Sequence, residues 1–440
     1  MVDEKRILIM SFLFLLSGCN FHVAIGQEDL TILPAQERTT EIVLMEKKEG
    51  LEGNDRGEEA QVGIHYDNIF TPISIESYNH QNIDFDNISN HESKRYINTN
   101  QTFPYTYSEV PGVLTFRGGH FRDRPSYGTL EKEAAALSLS WQFQTSFNPD
   151  WGGGSGWTGQ PAIVHWDDDV REMMNIYDSF KGEASFVEVI QGSLDGNVYF
   201  LDLESGEQTR PPIHVKNPIK GSVSVDSRGY PLLYVGDGVP YAESFGFYIY
   251  NLIDGSLLYL IPGRDDDAYR EWGAFDSSAL VNRETDTFVV GGENGMFYQV
   301  PLNTTFDREK KCITVEPHEW KMRYKVEGNH YQGIENSVAV YKNLAFFANN
   351  GGSIIAVNMQ TMTPVWSFPA LDDTDSTIVV EVIDDVPYLY TATEVDNIGR
   401  DGDCHLRKIN GLTGDVIWQK SYAALLPRSC RRGACYSGYW

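Results

Sequence analysis

Gly192-Ser193-Leu194-Asp195-Gly196-Asn197-Val198-Tyr199-Phe200-Leu201-Asp202, closed by Ser205-Gly206, is the stretch that decides the fold. Asp195-Gly196 supplies the positive-φ residues that a tight hairpin requires. The run Val198-Tyr199-Phe200-Leu201-Asp202 then reads as a strand with one face buried. Ser205-Gly206 turns the chain once more.

The same order recurs along the chain. Gly236-Asp237-Gly238 leads to Gly246-Phe247-Tyr248-Ile249-Tyr250-Asn251 and Asp254-Gly255. Gly291-Gly292-Glu293-Asn294-Gly295 leads to Met296-Phe297-Tyr298-Gln299-Val300. Asn349-Asn350-Gly351-Gly352 leads to Ser353-Ile354-Ile355-Ala356-Val357-Asn358, with Trp366 in the next strand. A fifth unit is degenerate at its start but ends in Thr413-Gly414 and Trp418. Upstream of each hairpin lies another apolar run, at residues 161–165, 222–225, 277–281, 337–341 and 378–383. Four antiparallel strands per unit, at a spacing of about 50 residues, describe a propeller blade. One blade cannot cover both of its faces, so blades must stack around an axis. The expected fold is therefore all-β, a β-propeller of four-stranded antiparallel blades with five recognisable units, over residues 103–422.

These units resemble the quinoprotein-like (PQQ-type) β-propeller repeat, in which an Asp-Gly turn, a short apolar strand, a Thr/Ser-Gly turn and a Trp follow in order. The resemblance covers residues 141–422. Leu114-Thr115-Phe116-Arg117-Gly118-Gly119-His120, with Arg124 and Tyr127-Gly128, looks like the leading segment of exported proteins in that superfamily. The paired His and Trp-Asp signatures of a WD40 array are missing. In quinoprotein dehydrogenases the resemblance implies a quinone on the axis beside calcium, with a tryptophan floor and an adjacent-cysteine disulfide. No Cys-Cys pair occurs here. PQQ and calcium are thus disfavoured and no cofactor is expected. Nor does the sequence contain GxSxG, HExxH or GxxxxGK[ST], so no catalytic residue is assigned and a non-enzymatic member is expected. Cys312, Cys404, Cys430 and Cys435 lack zinc-site spacing, so no metal site is expected; Cys430 and Cys435 lie close enough to bridge.

The two ends add an address. Lys5-Arg6 precedes the apolar run at residues 7–16, too short to span a bilayer but suited to a signal peptide. Leu16-Ser17-Gly18-Cys19 resembles the bacterial lipobox, which implies lipidation at Cys19 and a membrane anchor on the extracytoplasmic side of the envelope. Asp3 and Glu4 dilute the positive charge usual in such leaders. Residues 20–102 are acidic and polar and read as a disordered tether. Residues 423–440 are basic and cysteine-bearing, which reads as a truncated or frame-altered end leaving an incomplete ring. A net charge of −27 argues against nucleic acid, whose phosphates such a surface repels.

Binding residues are sought where each innermost strand begins, because those positions converge on the axis. There stand Trp157, Gln160, Lys220, Trp272, Asp276, Glu335, Asn336 and Glu381. Aromatic faces stack and carboxylates or amides orient hydrogen bonds, so such a ring suits a sugar, a peptide segment or a cation. Plain channel lining is the competing reading, since polar channels are the propeller norm. Asp167-Asp168-Asp169 and Asp265-Asp266-Asp267 lack calcium-loop spacing and read as solvated turns. The expected function is a membrane-anchored scaffold that docks envelope proteins or binds a ligand. A glycan- or solute-binding module is the second reading, and a quinone-dependent oxidoreductase the disfavoured third.

Overall fold

The computed structural model describes residues 72–73, 83–89, 100–129, 136–156, 159–240, 242, 244–329, 331–395 and 403–423. Cys19 with its leader, Trp157 and residues 424–440 lie outside them.

Five antiparallel four-stranded meanders follow one another in chain order, which is the strand plan of a β-propeller. Blade 1 uses Ala162–Val164, Glu188–Gly192, Asn197–Asp202 and Ile213–His214. Blade 2 uses Ser224–Val225, Leu232–Gly236, Gly246–Asn251 and Leu257–Pro262. Blade 3 uses Leu280–Asn282, Thr287–Gly291, Met296–Pro301 and Trp320–Val326. Blade 4 uses Ala339–Tyr341, Leu344–Asn349, Ser353–Asn358 and Thr363–Pro369, and blade 5 Val379–Ile383, Val386–Ala392, Asp403–Asn410 and Val416–Ala423. Each of the five upstream apolar runs thus contains or overlaps the first strand of a blade. The hairpin glycines Gly196 and Gly295 sit at φ 84° and 81°, where a side chain is strained.

Packing between blades explains the composition. Asn197–Asp202, expected to bury one face, is buried at every residue, as are Leu232–Gly236, Thr287–Gly291 and Leu344–Asn349. A blade with neighbours on both sides needs apolar side chains on both faces, which alternation alone does not reveal. Phe297 of blade 3 stacks on Phe347 of blade 4 at 5.5 Å, and Phe247 of blade 2 on Phe288 of blade 3 at 5.8 Å. Each such buried ring contributes roughly 1.5–3 kcal/mol by area.

Residues 111–122 run along the inner ends of all five blades. His165 N–H donates to Pro111 O (3.0 Å), Val225 N–H to Leu114 O (2.7 Å), Val340 N–H to His120 O (2.7 Å) and Val380 N–H to Phe121 O (2.9 Å). Blade 3 is reached through Thr115 Oγ1, which donates to Ala279 O at 2.8 Å. Arg122, fully buried, ties the segment to blades 3 and 4 by donating to Ser278 O (3.0 Å) and Val338 O (2.9 Å). The superfamily-like leading segment is therefore the filling of the axis. Gly118 is required within it, since at φ 86° a Cβ would lie 2.0 Å from Arg124 O.

Two expectations change. The tether was expected to reach residue 102, yet Ile83–Ser89 pairs along its whole length with Trp320–Val326 at the outer edge of blade 3. Its residues are mostly polar and exposed because backbone bonds and the Asp86–Arg323 ion pair (2.9 Å), rather than core burial, hold an edge strand. Residues 139–145 lie along blade 1 without strand pairing. Asp168 and Asp169 open the short helix Asp168–Met173, where their charges face the positive end of its dipole.

Candidate functional site

The residues that precede the innermost strands gather at one end of the axis. Lys220 is the hub: its Nζ lies 2.6 Å from Asp276 Oδ2 and 3.4 Å from Glu293 Oε1. Its stem is pressed against Gly238, where a Cβ would stand 2.4 Å from Lys220 Cγ, so the ammonium has little freedom to leave. Trp272 donates its indole N–H to Glu293 Oε2 at 2.6 Å. Asn350 donates to Glu335 Oε1 at 3.1 Å and is itself fixed by Gly333 N–H at 3.0 Å. One carboxylate oxygen from each of Asp276, Glu293 and Glu335 lies within 4.8 Å of the others.

Crowding carboxylates in a poorly solvated place favours their protonated forms. Burial, with Glu335 adding to it against the pull of Lys220, pushes Asp276 up to about 6. Burial and the charge of Glu293 push Glu335 up to about 7. Glu293 is raised by burial and by Asp276. Burial opposes the charge on Lys220, but Asp276 and Glu293 outweigh it and hold the ammonium protonated. Asp276 Oδ1 makes no hydrogen bond among the described residues, although Asp276 is only 5% exposed. A second trio, Asp373, Asp375 and Glu394, also lies within 4.8 Å. It adjoins the first: burial, followed by the charge of Glu335, drives Asp375 well above the usual carboxylate range.

Of the residues expected at this end, Lys220, Trp272, Asp276 and Glu335 come together. Gln160 turns instead to the axial segment, its Oε1 accepting from Arg117 N–H at 3.1 Å. Asn336 is a buried staple between blades 4 and 5, donating to Ala348 O (3.0 Å) and Thr374 O (2.8 Å). Glu381 does not belong to the ring. It points along the outer face of blade 5, where Lys408 Nζ lies 3.2 Å away. Glu293 and Asp375 were missed, and the repeat contains both. Asp375 occupies in unit 5 the place of Glu335 in unit 4 and Lys220 in unit 2, five residues before Val380, Val340 and Val225. Glu293 sits in the hairpin of unit 3, read there only as a turn.

The adjacent-cysteine pair implied by the sequence resemblance has no counterpart among the described residues. Cys312 lies exposed on the outer hairpin Cys312–Thr314 and Cys404 on blade 5, so neither described cysteine approaches this end.

No known family profile matches the chain, and no curated protein matches it. Among solved structures it is similar to BamB from Moraxella catarrhalis, with 14% identity, 53% of this chain and 57% of that one covered, and a TM-score of 0.34. The quinohemoprotein alcohol dehydrogenase ADHIIG from Pseudomonas putida HK5 gives 15% identity over 72% of this chain and 48% of that one, with a TM-score of 0.46. The dihydro-heme d1 dehydrogenase NirN gives 13%, 61%, 47% and 0.41 in the same order. The chain thus spans about half the length of the structures it matches.

Proposed function

We propose that this chain is an envelope scaffold, lipid-anchored through Cys19, whose propeller presents an acidic end that binds a cationic group of a partner protein. The observation that carries the reading is Asp276 Oδ1, a buried carboxylate oxygen with no hydrogen-bond partner among the described residues, inside a cluster of three carboxylates. Leaving such an atom unsatisfied costs about 1–3 kcal/mol, which an arriving ammonium or guanidinium offsets. Lys220 already shows the chemistry in miniature. Trp272, 38% exposed and bonded to Glu293, supplies aromatic surface for the aliphatic stem of a Lys or Arg. No helix among the described residues is long and apolar enough to cross a membrane, so a helical anchor is not supplied by this part of the chain.

A second reading is a bound divalent cation. Oxygens within 4.8 Å of one another suit a calcium ion at about 2.3–2.6 Å from each. The two are separated by thermal unfolding of the full chain with tri-arginine peptide, calcium chloride or maltotriose. Stabilisation by the peptide, lost in Asp276→Asn and Glu335→Gln, supports the proposal. Stabilisation by micromolar calcium alone would replace it with the metal site. A response to maltotriose abolished by Trp272→Ala would return the site to a glycan.

A further inference from the structure

Two positions of the repeat build the acidic end, and the strand registers fix both. Lys220, Asp276, Glu335 and Asp375 each stand four residues before the first paired residue of their inner strand, which is Ser224, Leu280, Ala339 or Val379. Those residues pair with Tyr234, Val289, Phe346 and Tyr390. Four residues after these partners come Gly238, Glu293, Asn350 and Glu394. Blades 2 to 5 therefore each bring one inner-strand residue and one turn residue to the same ring.

Blade 3 shows what the two positions do together. Asp276 and Glu293 hold the ammonium of Lys220, which reaches over from blade 2, at 2.6 and 3.4 Å. Gly238, the turn residue of blade 2, leaves room for its stem. Blade 4 is satisfied differently, since its turn residue is an amide and Asn350 donates to Glu335 at 3.1 Å. Blade 5 repeats the acid pair of blade 3 with Asp375 and Glu394, but the preceding blade offers Glu335 where blade 2 offers Lys220. The charges acting on Asp375 are those of Glu335, Asp373 and Glu394, all acidic. Asp375 Oδ1 is buried and has no hydrogen-bond partner among the described residues. Oxygens of Asp373, Asp375 and Glu394 lie within 4.8 Å of one another. An ammonium points its N–H donors at tetrahedral angles, so acceptors at about 2.8 Å stand roughly 4.6 Å apart. The spacing suits that tripod.

We infer that Asp373, Asp375 and Glu394 form a seat for a primary ammonium brought by the ligand of this end, as Asp276 and Glu293 seat that of Lys220. The inference rests on the cation reading of the acidic end, and it adds the class of cation and the blade that takes it. A guanidinium is the poorer occupant. Its planar fork matches both oxygens of one carboxylate, whereas this seat offers single oxygens from three side chains. A lysine side chain and a free alkylamine carry the same ammonium.

The experiment is thermal unfolding of the full chain in EDTA with n-butylammonium, tri-lysine, tri-arginine or tetramethylammonium. n-Butylammonium is expected to raise Tm to a plateau. Tetramethylammonium, with the same charge and no N–H donor, is expected to leave Tm unchanged. In Asp375→Asn and in Glu394→Gln the concentration of n-butylammonium needed should rise about tenfold or more, for loss of a charge-assisted hydrogen bond. Either variant serves where the other does not fold, and Glu381→Gln should respond as the parent does. Lys220→Ala opens the seat in blade 3 and should bind one more n-butylammonium per chain by calorimetry. A parent stabilised by tri-arginine but not by n-butylammonium would overturn the seat and leave the cation reading standing; no response to either would overturn both. The seat also falls if tetramethylammonium reproduces the response, if both carboxyl variants retain it, or if a folded Lys220→Ala binds no additional ammonium. Tighter binding of tri-lysine than of n-butylammonium assigns the ammonium to a peptide and the reverse order to a free amine, and both orders uphold the seat.

Discussion

Blades 4 and 5 are built from nearly the same string of turns and strands, and they differ in what lies beside them. Leu344–Asn349 of blade 4 is buried at all six residues, whereas Val386–Ala392 of blade 5 alternates between buried and half-exposed. Trp366 is 1% exposed and hydrogen-bonded to its neighbour; Trp418, its counterpart, is half-buried, with the Tyr390 ring 6.1 Å away. Burial in this protein therefore varies with place in the stack, and corresponding strands of different blades acquire different energies. Removing the ring in each blade tests that directly. Trp366→Ala should lose about 3–5 kcal/mol in urea unfolding, the usual cost of deleting a buried aromatic. Trp418→Ala should lose less than about 1 kcal/mol, as surface changes do. Equal losses would show that blade 5 is covered as fully as blade 4.

The axial segment gives the comparison its second edge. Arg122 donates to Thr115 Oγ1 (2.9 Å), Phe116 O (2.7 Å), Ser278 O (3.0 Å) and Val338 O (2.9 Å), and burial draws its pKa down to about 9. Arg122→Met leaves these acceptors unsatisfied in the interior and should cost roughly 2–4 kcal/mol. Hydrogen exchange should then rise first in the inner strands of blades 3 and 4, which the guanidinium touches, and least in blade 1. Uniform loss across all blades would mean that the segment acts only as filler.

Much of this was legible because a repeat amplifies a weak signal. The turn glycines and the Trp366 and Trp418 positions fixed the blade boundaries, and four mouth residues, Lys220, Trp272, Asp276 and Glu335, followed from their place before each inner strand. Glu381 went wrong for a physical reason. It is six residues after Asp375, well inside the strand, where an odd number of steps from buried Val380 turns it to the open face. Counting from the conserved step of the repeat, rather than from the acidic character of the residue, would have chosen Asp375. Ile83–Ser89 was invisible because an edge strand bonded through its backbone carries no apolar stripe. The two-sided burial of Asn197–Asp202 was likewise hidden, since a strand does not state how many neighbours its sheet will have.

At the acidic end the prediction is one of sign. Asp276 and Glu335 have folded-state pKa values of about 6 and about 7, above those of free carboxyls. The folded chain holds these protons more tightly than the unfolded chain, so the stabilisation is complete below the unfolded values. It is lost as pH rises through 6 to 7. Asp276→Asn, which fixes the uncharged form, should therefore gain on the parent between pH 5 and pH 8, by about 1.4 kcal/mol, the one unit between pH 5 and the folded pKa. A parent-minus-variant difference that is flat across this range, or grows with pH, would remove the buried carboxylate from the account.

The smallest expected effect sharpens the contrast between the two acidic places. Glu381 pairs with Lys408 at 3.2 Å, but its side chain is 50% exposed, so water and salt screen the pair. The Tyr390 hydroxyl and the Lys408 ammonium hold its carboxyl below the usual range, the reverse of Asp276. Its contribution is therefore present above the unfolded pKa and falls away as pH drops, opposite in direction to the axial cluster. Glu381→Gln should change stability by no more than about 0.5 kcal/mol at neutral pH. It should also leave the response to tri-arginine intact. Loss of that response would move the binding site from the axis to the face of blade 5, because no described contact links Glu381 to Lys220.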